Sequence, residues 1–106
     1  MRRQERFEPI EVEIRTVPHS KHDLGDGLTA VFYAIDPRTL CYCIAGAQNR
    51  ASRWVSVLEN LHKDGVWWCR AKVARVDDIV ANDPIFSKAK YSIVSLIVPR
   101  AYVEDR

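Results

Sequence analysis

The fold is decided by residues 28–76, whose sequence is LTAVFYAIDPRTLCYCIAGAQNRASRWVSVLENLHKDGVWWCRAKVARV. Two segments rich in β-branched and aromatic residues, 28–35 and 40–45, flank the dipeptide Asp36-Pro37. Asp at the first position and Pro at the second are preferred residues of a type I turn. The stretch therefore begins with a predicted β-hairpin.

An amphipathic helix is predicted next. Asn49 is a favourable N-cap residue, and Gly65 can adopt the left-handed conformation that ends a helix. Between them, apolar and aromatic side chains recur at three- and four-residue steps, which places them on one face of a helix. That face consists of Ala51, Trp54, Val55, Leu58, Leu61 and His62.

The alternating period of a strand returns after the helix. The side chains predicted to face the core are Trp67, Cys69, Ala71 and Val73. Those on the opposite face, which a two-layer fold leaves in water, include Trp68, Arg70 and Lys72. The exposed face of this strand thus combines an indole ring with two cations.

Strand patterns also lie outside this stretch. Ile10, Val12 and Ile14 alternate with charged residues, which is typical of a half-buried strand. Residues 90–98 are rich in apolar side chains and predict a central strand that is buried on both faces. Residues 19–27 are polar and contain two glycines, so they predict a loop.

Together these elements predict an α+β fold. It is a single two-layer domain, with an antiparallel or mixed sheet of about five strands and one main helix packed on one face. The domain spans residues 9–106 and includes one short helical turn at 77–82. Residues 1–8 contain three arginines and predict a flexible basic arm.

Composition limits the classes of function. A hydrophobic content of 47% and a charged content of 28% are ordinary for a globular chain. No apolar run approaches the roughly 20 residues that span a bilayer, and no apolar signal segment follows the N-terminus. Three cysteines, an odd number, indicate free thiols in a reducing compartment. We therefore expect a cytoplasmic protein that does not associate with a membrane.

The start of the predicted helix breaks a local rule. Helix N-termini carry a partial positive charge and favour Asp or Glu in the first turn. This first turn contains Arg50 and Arg53 and no acid. Free backbone N–H groups beside two guanidinium groups suit a phosphate or a carboxylate. The alternative is that Arg50 is simply solvated and Arg53 pairs with an acid of the amino-terminal strand.

Trp68, Arg70 and Lys72 form a second candidate surface. A Trp flanked by cations is typical of a recognition surface, and it can stack on bases while the cations contact phosphate. The net charge of +2 is too small to indicate nucleic acid by itself. Two alternatives are that the arm or residues 84–86 cover Trp68, and that this sheet face forms an isologous homodimer.

Part of the stretch resembles the GIY-YIG nuclease family. Residues 30–35 resemble the first strand of that family. Cys43, Asn49 and Arg53 are similar in spacing to its second motif, its asparagine and its helical arginine. The resemblance implies metal-dependent hydrolysis of nucleic acid that uses Tyr33 and Arg53. The second motif tyrosine falls on Cys43, however, and no glutamate follows the third strand to hold the divalent ion.

Two histidines and two cysteines make a valid set of zinc ligands, namely His19, His22, Cys41 and Cys43. Cys41 and Cys43 share one face of a strand, where free cysteines usually pack as small hydrophobes. Whether these four residues bind a metal stays open at this point. We assign no cofactor, no metal ligand and no catalytic residue.

We therefore predict a small non-catalytic binding or regulatory protein. Its expected partner is nucleic acid, or a protein that handles nucleic acid, and the indole serves as the aromatic anchor. The predicted site residues are Arg50, Arg53, Trp68, Arg70 and Lys72. The alternatives are a divergent GIY-YIG-like metal-dependent nuclease and a homodimeric structural or interaction protein.

Overall fold

The computed structural model describes residues 8–76, 84–87, 89–100 and 102. Within them, a six-stranded mixed sheet carries one α-helix packed on one face, which confirms the predicted two-layer α+β fold. The predicted basic arm, apart from Glu8, and the predicted helical turn at 77–82 lie outside the described residues. No helix in the described part of the chain is both long and apolar enough to cross a bilayer.

The sheet has the strand order β1-β5-β6-β4-β3-β2. Neighbouring strands are antiparallel except for β4 and β6, which run parallel. In chain order the elements are β1 (Ile10–Arg15), β2 (Ser20–Gly25), β3 (Leu28–Asp36), β4 (Thr39–Ala45), α1 (Arg50–Lys63), β5 (Trp68–Arg75) and β6 (Ala89–Ile97). These directions place the end of β4, the start of β5 and the ends of β1 and β6 at one end of the sheet, where α1 begins.

The predicted hairpin and helix are confirmed. β3 and β4 pair through a tight turn in which the Asp36 carboxylate accepts a hydrogen bond of 2.8 Å from the Arg38 N–H. Asn49 caps α1, because its side-chain oxygen accepts from the Ser52 N–H at 3.1 Å. The helix ends at Asp64, and Gly65 follows with φ of +85°.

The main core lies between α1 and the sheet. Leu58 and Leu61 of the helix are fully or almost fully buried against that face of the sheet. The sheet contributes side chains from five strands, including Ile14, Val31, Tyr33, Cys41, Cys43, Cys69, Ala71, Val73 and Ile93. Because one helix covers parts of β1, β3, β4, β5 and β6, this layer fixes the strands relative to each other.

A smaller apolar cluster lies on the opposite face, over β3 and β4. The rings of Phe32 and Tyr42 pack there against Phe86, whose centroid is 4.7 Å from that of Tyr42. Residues 84–86 therefore cover this part of the sheet and leave Trp68 on β5 with 43% of its surface exposed. Residues 84–86, one of the two segments that could have covered Trp68 according to the sequence, therefore do not bury it.

Three details differ from the sequence-based predictions. The polar pattern of residues 19–27 predicts a loop, but they contain the edge strand β2, which is exposed on its outer side and so shows no apolar alternation. The alternation places Trp67 toward the core, yet it is 55% exposed because it precedes β5. β6 is central as predicted, but Val94 and Ile97 are exposed because its second face is not covered there.

Truncation of the α1 stripe should unfold the sheet and the helix together. We expect Leu58→Ala to lower the free energy of unfolding by about 2–5 kcal/mol, since it removes a fully buried side chain and leaves a cavity. Asn60→Ala, at an exposed position one half-turn away, should change it by less than about 0.5 kcal/mol. Urea denaturation followed by far-UV circular dichroism measures both values, and equal effects of the two substitutions would contradict this packing.

Candidate functional site

The backbone before α1 is tightly constrained. Ala47 and Gln48 have φ angles of +44° and +65°, which non-glycine residues seldom adopt. A Cβ atom on Gly46 would lie 2.3 Å from the carbonyl oxygen of Gly27, so only glycine fits there. The Asn49 side chain also donates a hydrogen bond of 3.0 Å to the Ile44 carbonyl. These contacts hold the first turn of α1 against the end of β4.

Arg50 and Arg53 are both exposed in this first turn, which contains no acid. Among the described residues, no carboxylate lies within 4.0 Å of either guanidinium group. The amino-terminal strand does not supply a partner for Arg53, because its Glu11 forms an ion pair with Arg70 instead. Two cations without a described ion-pair partner therefore lie where the helix dipole is also positive.

A cleft of about 270 Å³ opens beside these arginines, between α1 and the end of β6. Its wall is mostly apolar and includes two aromatic rings. The residues that line it are Arg50, Arg53, Trp54, Val57, Leu96, Val98 and Tyr102. Tyr102 is held in place by a hydrogen bond of 2.7 Å that its hydroxyl donates to the Asp64 carboxylate. That bond raises the pKa of Tyr102.

A second cleft, of about 410 Å³, lies at the start of β5. It shares Val98 and Tyr102 with the first cleft, and Trp68 and Arg70 form its far side. The arginines of the helix and the tryptophan of the strand therefore border neighbouring clefts, although 15 to 18 residues separate them in sequence. The structure brings Arg50, Arg53, Trp68 and Arg70 to one end of the sheet.

The charge on the exposed face of β5 is partly neutralised. Arg70 forms an ion pair with Glu11, and Lys72 lies opposite Glu11 in the β1–β5 register. Glu13 lies opposite Arg70 and also lines the second cleft. Lys72 is exposed but lines neither cleft. The stronger positive field is therefore at Arg50 and Arg53.

Sequence reasoning missed three contributors to this region. The Arg15 guanidinium lies 5.4 Å from the ring centre of Trp68 and 5.8 Å from that of Trp67, which are cation–π distances. Only the register of β1 on β5 shows this contact. The helix period predicts Trp54 as a core residue, but Trp54 also lines the first cleft. Tyr102 lies beyond Pro99, where no hydrophobic pattern predicts a helix or a strand.

The four potential zinc ligands do not converge. Cys41 and Cys43 are buried on the helix side of β4. His22 lies on the other side of the sheet, edge-on to Phe32 with 5.5 Å between ring centres. Within the residues that the structure describes, no group of three His, Cys, Asp or Glu side chains could hold a metal ion.

Tyr33 and Arg53, which the nuclease resemblance brings together, lie in different environments. Arg53 is exposed, whereas Tyr33 is fully buried beneath α1 and its hydroxyl has no hydrogen-bond partner in the described chain. Burial, together with the nearby Cys43 and Glu59, raises the pKa of Tyr33 far above its ordinary value. The Tyr33 hydroxyl is therefore inaccessible to a substrate in this conformation.

Comparison with known proteins adds no relative. The chain matches no protein-family model, no curated protein and no solved structure.

The buried thiols generate a prediction about alkaline pH. Burial raises the pKa of Cys41 and of Cys43 to about 12, and that of Cys69 to about 11, from 9.0. The unfolded chain then loses thiol protons at a lower pH than the folded chain. We expect the free energy of unfolding to fall between about pH 9 and 12, by at most about 1.4 kcal/mol per pH unit for each thiol.

Denaturation at a series of pH values measures this slope, and Cys41→Ala/Cys43→Ala provides the comparison because it removes two of the three thiols. The slope of the variant should be smaller than that of the original chain. Rapid reaction of all three thiols with a disulfide reagent at pH 8 in the folded protein would contradict their burial.

Proposed function

We propose that this protein is a non-catalytic binding protein for single-stranded nucleic acid. The strand would pass along the end of the sheet, from Arg50 and Arg53 across Tyr102 to Trp68. The observation that carries this proposal is the shared wall of the two clefts, in which Val98 and Tyr102 separate the arginines from the tryptophan. Cations and aromatic rings in one continuous path suit a ligand with alternating phosphates and bases.

Phosphate capture is assigned to the helix start. Arg50 and Arg53 are exposed, and the described acids leave both guanidinium groups without an ion pair. The Asn49 side chain accepts a hydrogen bond from the Ser52 N–H. The N–H groups of Arg50 and Ala51 have no acceptor within the helix and point out of its N-terminus. Charge-assisted hydrogen bonds from guanidinium groups to phosphate are among the stronger polar contacts in proteins.

Base stacking is assigned to the aromatic side chains. Trp68 is half-exposed, and Arg15 holds one face of its ring by a cation–π contact. Tyr102 lies between the two clefts, fixed through its hydroxyl group. Arg70 and Lys72 would extend the path along β5, with a weaker field because Glu11 and Glu13 face them across the β1–β5 register.

A single strand is favoured over a duplex by the shape of this region. The clefts have volumes of about 270 and 410 Å³ and partly apolar walls, so each suits an unstacked base better than a rigid double helix. The charge of the region is modest, which favours stacking in addition to phosphate contacts. A protein partner that handles nucleic acid is the alternative, and it becomes the conclusion if no nucleic acid binds.

Removal of the two arginines should weaken binding of a labelled single-stranded oligonucleotide. We expect Arg50→Ala/Arg53→Ala to lower the affinity at low salt by at least about tenfold, since two charge-assisted phosphate contacts are lost. The slope of log affinity against log salt should fall by about 1.4, or about 0.7 per phosphate contact. Fluorescence anisotropy at a series of salt concentrations measures both quantities.

The matched control is Arg38→Ala/Lys63→Ala. It removes the same net charge from exposed positions in the β3–β4 turn and at the other end of α1. This control should keep the affinity within about twofold if the effect is local rather than a general effect of net charge. Equal losses in the two double variants, or no binding by the original chain at low salt, would overturn the proposal.

The proposed stacking role predicts different effects on binding for substitutions of two adjacent tryptophans. We expect Trp68→Ala to weaken single-strand binding by about 5- to 100-fold, the range of one lost base-aromatic stack. Trp67→Ala is the control, because Trp67 is the more exposed ring and lines neither cleft. Similar affinities for the two variants would remove Trp68 from the binding path.

A further inference from the structure

We propose that the open edge of β1 joins two copies of this chain into an isologous dimer with one continuous sheet. Among the residues that the structure describes, β1 and β2 are the two edge strands of the sheet. An edge strand presents unpaired backbone groups that can form hydrogen bonds with another strand. The surface involved is the backbone edge of Ile10–Arg15, which differs from the exposed sheet face and from the clefts at the helix start.

The hydrogen-bonding pattern shows which backbone groups of β1 point away from β5. The Thr16 N–H donates to the Trp67 carbonyl at 3.0 Å, so the backbone of Thr16 points toward the β5 side. Because the direction alternates along a strand, Val12 and Ile14 also point toward β5. The N–H and C=O groups of Glu11, Glu13 and Arg15 therefore point away from the sheet, along its edge.

β1 is the better of the two edges for pairing. Its six residues pair with β5 without a register shift, so its open edge is regular. β2 contains a bulge between Asp23 and Gly25, and the Gly25 N–H is taken by the Asp23 side chain. Bulges are a common device that prevents a sheet edge from pairing.

The charges and the length of β1 together favour one antiparallel register with a second copy. When Glu13 faces the second copy's Glu13, Glu11 faces the second copy's Arg15, and the converse pair forms as well. The two attractive pairs then flank one like-charge pair at the centre. Charged edges normally deter pairing. Here the opposite signs are spaced so that self-pairing brings them together. Moving the register by one pair in one direction places Glu11 opposite the second copy's Glu13, which is repulsive. Moving it in the other direction pairs Glu13 with the second copy's Arg15, but it places Glu11 opposite Val17, beyond the end of β1, so that fewer residues of the two strands pair.

The neighbouring strand supports the same register. Arg70 lies beside Glu13 in the β1–β5 pairing, so an arginine from each copy flanks the two central carboxylates. On the helix side, Ile14 would face the second copy's Val12. Ile10, which is 49% exposed, would be covered by the second copy. A single strand pair buries less than a standard interface, so a dissociation constant on the order of micromolar is expected.

Sedimentation velocity of the full chain over a range of concentrations tests the dimer. Two charge reversals, Glu11→Arg and Arg15→Glu, each convert two attractive pairs into repulsive ones and should weaken dimerisation by about tenfold or more. In a mixture of the two variants, positions 11 and 15 are both basic in one chain and both acidic in the other. Each facing pair at these positions is then attractive.

The mixture should therefore dimerise at a concentration at which neither variant does so alone. Circular dichroism of each variant establishes that the fold is retained, since Glu11 also pairs with Arg70.

A second pair of variants addresses the backbone directly. Glu13→Pro removes an N–H that points out of the sheet, so it should abolish dimerisation and leave the β1–β5 pairing intact. Glu13→Ala keeps that N–H and should retain the dimer. A chain that stays monomeric at all concentrations would overturn the inference. A dimer that survives both Glu13→Pro and the two charge reversals would overturn it as well.

Discussion

The apolar stripe of α1 is buried against one face of the sheet, and the strand topology leaves the helix little freedom in position. α1 leaves the end of β4 and must deliver the chain to the start of β5, with β6 between those two strands. Leu58 and Leu61 then belong to one buried cluster with side chains from five strands. β6 is the last strand in the chain, and it pairs with both β4 and β5. The helix therefore packs over the point where the parallel pair β4–β6 joins the antiparallel pair β5–β6.

This constraint also explains the location of the candidate site. The strands that run toward the helix start bring Arg15, Val98 and Tyr102 to the same end of the sheet as Arg50 and Trp68. In open α/β sheets, ligands bind beside the carboxyl ends of the parallel strands, and the carboxyl ends of the parallel pair β4 and β6 lie at this end. The grouping of cations and aromatic rings is therefore a consequence of topology and does not require any one local motif.

Local patterns are enough to predict the parts of the fold that depend on residues close in sequence. The Asp36-Pro37 turn, the Asn49 cap and the helix period are each observed. The edge strand β2 was missed because an exposed edge needs no apolar alternation. The charges of the site depend instead on long-range pairing, since the β1–β5 register brings Glu11 to Arg70 and neutralises part of the positive charge of β5. A sequence shows which residues are basic, but the sheet sets the partners of each cation.

Glu11 connects the two proposals. In the monomer it neutralises Arg70, which weakens the field along β5. In the proposed dimer the second copy's Arg15 would compete for the same carboxylate, since Glu11 lies between β5 and the new strand. Arg70 would then be left beside the central Glu13 carboxylates, and Arg15 would be drawn away from the ring of Trp68. Self-association and nucleic-acid binding would thus be coupled through one carboxylate, without any change in the fold.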